Sequence, residues 1–234
     1  MYLSLQEVLR PERLERCLEL LSAEAAVLAG GTYLNAVCPG HVSRLVDLQS
    51  LPLRAIDRSG AQLLLGALVR LSDVVGGDLD AGHAALVQAA AAERNLPIRN
   101  QSTVGGRICR QRSDGRLRTA LLALNATVQV ARAGTEPSWL PLAELAGVDL
   151  SAAILTAVAV PAAARSAYSQ FSQTAVDAPV TDVAVARGAD GTWRIASGGH
   201  GSDASGVVAL KDAAALLNQA ELNQAELNQA ELNQ

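Results

Sequence analysis

Two stretches, Ile98-Arg99-Asn100-Gln101-Ser102-Thr103-Val104-Gly105-Gly106 and Val27-Leu28-Ala29-Gly30-Gly31-Thr32-Tyr33-Leu34, decide how this chain is read. Each reads as a strand running into a glycine turn beside a threonine. Missing Cβ atoms permit unusual backbone angles and close approach by a ligand. Successive backbone N–H groups in such turns form a concave anion site, to which the Thr32 and Thr103 hydroxyls add donors. Two loops of this kind suit a pyrophosphate gripped from both sides without a lysine. Neither matches the GxxxxGK[ST] phosphate loop or the GxGxxG dinucleotide fingerprint. A glycine pair taken alone is more often an ordinary turn, so the residues by themselves reach a phosphate cradle and no further.

Working outward, Pro11 suits the first turn of a helix, and Leu14, Cys17, Leu18 and Leu21 then give one apolar face. Strands are expected at 25–29, 43–48, 61–65, 127–132 and 154–160, the last ending at Pro161. An alanine-rich helix is expected from Asp80 to Arg94, terminated by Asn95 and Pro97, and a second helix from Thr119 to Leu124. From Tyr168 to Val208 the pattern is strand-rich, with Val180–Ala186, a turn at Asp190-Gly191, and Thr192–Ala196. Mixed elements of this kind imply an α+β or α/β chain with at least two subdomains. The tail repeats AELNQ from Ala220 to Gln234. Its five-residue period advances by about 140° on a helix and makes no apolar stripe, so it reads as a low-complexity extension.

Composition excludes several functions. Half of the 234 residues are hydrophobic, which rules out general disorder. A net charge of −4 excludes a nucleic-acid binder held by its global field. Only 3% of residues are aromatic, which argues against a site built on stacked rings. Lys211 is the single lysine, so arginine supplies nearly all the positive charge. The N-terminal segment is charged and lacks the apolar core of a signal peptide, and the apolar run 150–164 is too short for a membrane span. The expectation is a soluble, cytoplasmic chain. Cys17, Cys38 and Cys109 are far apart and show no CxxC spacing, so they offer neither a disulfide framework nor a metal or iron–sulfur site. Cys109, beside the second glycine loop, reads as a small buried residue, with a reactive thiol as the alternative.

Taken together and in order, VLAGGTYL (27–34), LVDL (45–48), LGAL (65–68), IRNQSTVGG (98–106), ALLAL (120–124), AYSQF (167–171) and RIASGG (194–199) resemble the FAD-binding medium subunit of the molybdenum hydroxylases. This is the family of xanthine dehydrogenase and carbon monoxide dehydrogenase, with a PCMH-type FAD-binding fold. The resemblance implies an α+β fold: two α/β FAD-binding subdomains (residues 1–52 and 53–162), a small antiparallel-sheet module (163–217) and the tail (218–234). It implies that Leu28, Ala29, Gly30, Gly31, Thr32, Tyr33 and Leu34 wrap the FAD pyrophosphate. Thr103, Val104, Gly105 and Gly106 would face it from the second subdomain. Tyr168 falls where a tyrosine often covers the isoalloxazine, and also reads as a half-buried strand-end residue.

The same resemblance implies a large molybdopterin-binding partner subunit, where substrate is oxidised, and a small partner with two [2Fe–2S] clusters. Electrons would reach FAD in this chain and leave to NAD or another acceptor. The sequence departs from the family pattern at Arg107, where asparagine is usual, and at Arg116, where an aspartate is expected and Asp114 stands two residues earlier. Gln170 and Gln173 also replace residues that are commonly basic. Arg107, Arg110, Arg112, Arg116 and Arg118 form a dense basic run with three readings: compensating cofactor contacts, a contact for an acidic partner, or a solvated loop. These departures motivate a second class of function, a flavin-free structural subunit of such a complex.

Overall fold

The computed structural model describes residues 5–37, 39–109, 115–174, 179–199, 208–209 and 214–219. The first layer is a parallel three-stranded sheet ordered β1–β3–β2, from β1 (Glu7–Leu9), β2 (Ala25–Leu28) and β3 (Arg44–Asp47). Helix α1 (Leu14–Glu19) begins three residues after Pro11, because Arg13 is still extended, and it buries Cys17 and Leu18 as its apolar spacing predicts. The Arg10 guanidinium pairs with the buried Asp47 carboxylate at 2.7 Å, which satisfies a charge at the end of β3 that would otherwise be costly to bury.

The second layer is a five-stranded antiparallel sheet ordered β4–β5–β8–β6–β7. It is made of β4 (Ile56–Asp57), β5 (Gln62–Gly66), β6 (Thr127–Arg132), β7 (Ser138–Pro141) and β8 (Ala153–Pro161). The strands β5, β6 and β8 stand close to their expected places, and β8 ends at Pro161. Strand β8 is central and largely buried on both faces, so it reads as a near-continuous apolar run. Its Ile154 packs with Cys17, Leu18, Val46, Leu48, Leu51 and Leu68 in one core. Its Leu155, Val158 and Val160 face the larger core with Leu63, Leu65, Leu86 and Leu121. One strand thus joins the first sheet to the second.

Helices cover this sheet. Between α3 (Leu71–Val75) and α4 (Ala84–Ala91) a short 3₁₀ turn, Ala81–His83, replaces the start of the expected long alanine helix. The Asp80 carboxylate accepts from the His83 N–H there at 3.2 Å. Asn95 and Pro97 open a new helix, α5 (Leu96–Gln101), instead of merely ending the previous one: the Asn95 side chain accepts from the Ile98 N–H at 3.2 Å. Side-chain capping of this kind satisfies a helix-start donor that has no intrahelical partner. Then follow α6 (Val104–Cys109) and α7 (Arg116–Ala123), the latter covering the expected helical patch.

The third layer is an antiparallel sheet ordered β12–β11–β10–β9. It contains β9 (Ala163–Phe171), β10 (Thr181–Gly188), β11 (Trp193–Gly198) and β12 (Val208–Ala209). Helix α4 docks on β9 through Ser166, whose hydroxyl accepts from the Ala85 N–H at 2.9 Å and donates to the Gly82 carbonyl at 2.7 Å. Cys38, Arg110, Arg112, Asp114, His200 and the AELNQ repeats lie outside the described residues. Among the described residues, no helix is long and apolar enough to cross a membrane.

Candidate functional site

The two glycine segments come together across one cleft of about 230 Å³. The first runs from the end of β2 through Gly30-Gly31 into helix α2 (Thr32–Val37). Gly31 has φ +71°, a left-handed conformation that residues with a Cβ adopt only with strain. Gly30 serves a different need, since a Cβ there would lie 1.9 Å from the Gln101 carbonyl oxygen at the end of α5. The loops are therefore in contact, and Gly30 is what lets them meet. Gln49 Nε2 donates to the Ala29 carbonyl at 2.6 Å, so that acceptor is occupied. Among the described residues, none accepts from the N–H groups of Gly30, Gly31 or Thr32.

The second segment is not a strand-to-turn loop. It is a helix–kink–helix: α5 ends, Ser102 turns extended, Thr103 bridges to Arg70, and α6 begins at Val104. Its backbone donors are engaged. The Val104 N–H donates to the Val69 carbonyl at 2.8 Å and the Gly105 N–H to the Ala67 carbonyl at 2.9 Å. The Gly106 N–H donates to Thr103 Oγ1 at 3.1 Å. A Cβ on Gly105 would sit 2.8 Å from the Ala67 Cβ. Its glycine thus permits the close packing of α6 on the residues that follow β5.

Of the expected site residues, Ala29, Gly30, Gly31, Thr32, Tyr33, Leu34, Thr103, Gly105, Gly106 and Arg107 line the cleft. Leu28 ends β2 behind it, and Val104 is fully buried in the larger core. Tyr33, 44% exposed, is the one aromatic side chain lining it among the described residues. Tyr168 is placed elsewhere: its hydroxyl donates to Asp182 Oδ2 at 3.0 Å and lies 3.1 Å from Gln170 Oε1, on β9 and β10. It is half-buried there.

Arg116 is also absent from the lining. It is 6% exposed, and its Nε donates to Gln170 Oε1 at 2.8 Å. Arg107 and Arg116 both approach Glu93 Oε2, at 2.6 and 3.8 Å. For these two arginines the solvated-loop reading does not hold, because both are interior and ion-paired. Cys109 is exposed at the cleft wall and not buried as expected. The residue as a whole is exposed, yet desolvation around the thiol itself pushes its pKa up to about 11, against a smaller opposite pull from the Arg118 guanidinium. At neutral pH it is a thiol and not a thiolate nucleophile.

Sequence reasoning missed part of the wall: Ser102, Ala67 and Leu68, and Leu150, Ala153, Ile154 and Leu155. Ser102 stood unremarked inside the decisive stretch, and Ala67-Leu68 inside LGAL. The rest of the wall comes from the start of β8, whose sequence signals only a buried strand. Ser102 Oγ lies 3.1 Å from Thr32 Oγ1, a direct link between the two segments. Among the described residues no group of three or more His, Cys, Asp or Glu side chains is placed to hold a metal. The lining as a whole fits a phosphate-bearing, partly apolar ligand: amides with no acceptor among the described residues and hydroxyls stand together with the apolar side chains Leu34, Leu48, Leu68, Leu150 and Ile154.

Residues 3–163 match the family model described as FAD binding domain in molybdopterin dehydrogenase. The chain is 34% identical over 126 residues to the uncharacterized protein YgfM of Escherichia coli strain K12, covering 52% of this chain. The match spans about half the length of that relative, 48%. Among solved structures, the reconstituted CO dehydrogenase of Oligotropha carboxidovorans superposes with TM-score 0.79 at 19% identity, covering 91% of this chain and 80% of that one. Quinoline 2-oxidoreductase of Pseudomonas putida 86 gives 0.74 at 19% identity, with 85% and 75% covered. Carbon monoxide dehydrogenase of Hydrogenophaga pseudoflava gives 0.73 at 23% identity, with 88% and 77% covered. At those identities the structural likeness establishes the fold, and the matching family model over most of the chain establishes kinship. The chain belongs to the family of FAD-binding domains of molybdopterin dehydrogenases.

Proposed function

We propose that this chain is the flavin-binding electron-transfer subunit of a multi-subunit, cytoplasmic molybdenum hydroxylase. The observation that carries this reading is the cleft between the two glycine segments, with the amides of Gly30, Gly31 and Thr32 on one wall and Ser102, Thr103 and Arg107 on the other. FAD, when bound, would supply the redox chemistry, taking electrons from [2Fe–2S] clusters of a small partner and releasing them to NAD or another acceptor. Substrate oxidation would belong to a large molybdopterin-binding partner. The protein's own work is binding, orientation and exclusion of water.

In this reading residues 1–52 and 53–162 are two cofactor-gripping subdomains and 163–217 is the C-terminal module. The Gly30–Thr32 turn would donate to the pyrophosphate. The Thr103–Arg107 segment would contribute through the Arg107 side chain more than through amides, because the N–H groups of Val104, Gly105 and Gly106 already have acceptors. Tyr33 is positioned to border an aromatic ring at the cleft mouth. The leucine and isoleucine side chains of the lining would keep water from the ligand's apolar part.

The test is the visible spectrum of the purified complex, with mass analysis of the cofactors it releases. The expected result is a flavin absorbance and about one FAD per chain. An intact complex with no stoichiometric FAD would remove this reading and leave the flavin-free structural subunit.

A further inference from the structure

Glu93 lies between α4 and α5, behind the cleft wall, and does not line the cleft. Its side chain is 13% exposed and that of Arg107 10% exposed, so this ion pair is largely removed from water. Breaking such a pair from one side is costly, which makes it a rigid element. The Arg107 Nη2 that donates to Glu93 Oε2 at 2.6 Å also donates to Ser102 Oγ at 3.1 Å. Ser102, 1% exposed, in turn meets Thr32 Oγ1 at 3.1 Å. Arg107, Ser102 and Thr32 all line the cleft.

The directions in this chain of contacts follow from chemistry. A guanidinium has donors and no acceptor, so Ser102 Oγ must accept from Arg107. One hydroxyl of the Ser102–Thr32 pair then donates to the other. Whichever way that bond runs, one of the two hydroxyl hydrogens is left without an acceptor among the described residues, at a residue that lines the cleft. Hydrogen bonds in series polarise one another, and the first here is charge-assisted, so the remaining donor is strengthened. It lies beside the amides of Gly30–Thr32, which have no acceptor among the described residues and where an anion's oxygens would be met.

We propose that Glu93 is a positioning residue for a diphosphate site in the cleft: it fixes Arg107, and through Ser102 and Thr32 leaves one oriented hydroxyl donor for the ligand's phosphate oxygens. The inference rests on the flavin reading only in naming FAD as the source of that diphosphate.

The test titrates the full chain, stripped of cofactor, with FAD and separately with inorganic pyrophosphate. Wild type is compared with Glu93→Gln, Ser102→Ala and the conservative Glu93→Asp. Glu93→Gln and Ser102→Ala are expected to raise both dissociation constants by the same factor, about tenfold, as for one lost hydrogen bond involving a charged group. Glu93→Asp restores part of the affinity lost in Glu93→Gln. Should Glu93→Gln fail to fold, Ser102→Ala, which leaves the ion pair intact, carries the test. Folded variants that bind both probes as wild type does overturn the inference, and so does a loss for FAD that pyrophosphate does not share. A wild-type chain that binds pyrophosphate and not FAD keeps the relay and removes the flavin reading. One that binds neither overturns both.

Discussion

The two glycine segments look alike as sequence, AGGT and TVGG, and do different physical work. In the first, Gly31 takes a positive φ and the amides of Gly30, Gly31 and Thr32 have no acceptor among the described residues. In the second, Gly105 and Gly106 sit in the first turn of a helix, and their amides donate to Ala67 and Thr103. A glycine pair therefore signals close approach of something to backbone. Whether that something is a ligand or the rest of the protein depends on where the neighbouring carbonyls fall, which no local sequence pattern encodes.

The largest expected effects test the parts of each segment that hold protein against protein. Gly30→Val and Gly105→Val each force a Cβ against backbone, 1.9 Å from the Gln101 oxygen and 2.9 Å from the Ala67 oxygen. Each is expected to lower unfolding stability by about 3 kcal/mol or more, as overpacking against unyielding neighbours does, read by urea denaturation of the cofactor-free chain. A variant at either position that keeps wild-type stability would show that the contact is absent in solution. Gly31→Ala comes next, with about 1–2 kcal/mol expected from a left-handed residue acquiring a Cβ. Here the same denaturation curve is the check, and no shift in its midpoint would place Gly31 outside that conformation.

The two threonines separate the segments most sharply. Thr103 Oγ1 accepts from the Gly106 N–H at the start of α6, so Thr103→Ala is expected to lose about 1 kcal/mol of stability, as for a lost helix cap. Its effect on FAD affinity should be small. Thr32→Ala should do the reverse, weakening FAD by about tenfold with little change in the cofactor-free melt. Equal behaviour of the two variants in both assays would dissolve the distinction between the loops.

The smallest effect concerns Cys109, whose thiol keeps its proton up to a pKa of about 11. Alkylation of this exposed cysteine by iodoacetamide should be slow at pH 8 and accelerate as pH rises toward 11, since only the thiolate reacts. Rapid labelling at pH 7, with the product mapped to Cys109, would contradict that environment.

Much of the architecture was legible because period and length suffice for it. Leu14, Cys17, Leu18 and Leu21 announce α1, and the runs at 127–132 and 154–160 announce the strands β6 and β8. Strand β1, the two-residue β4 and the five-residue α3 were not foreseen, being too short to show a period. The helix that opens at Asn95 is hidden in the sequence because Asn-x-Pro serves as a stop or a start alike. The structure settles it through the Asn95 side chain, which accepts from Ile98.

At the cleft, the quoted motifs located both walls but not the pairing of Ser102 with Thr32, 70 residues away. The fate of the arginine run was equally hidden. Glu93 lies 14 residues before Arg107 and across a helix from it, and only the tertiary fold reveals that a carboxylate waits for those guanidinium groups.

The central claim is that a diphosphate-bearing flavin lies between the two segments, and a crystal structure of the full chain soaked with FAD tests it most directly. Pyrophosphate oxygens are expected within hydrogen-bond distance of the Gly30, Gly31 and Thr32 amides, with the Ser102–Thr32 pair beside them and Tyr168 still bonded to Asp182. FAD density in another part of the molecule, or in this cleft with its diphosphate turned away from the first segment, would contradict it.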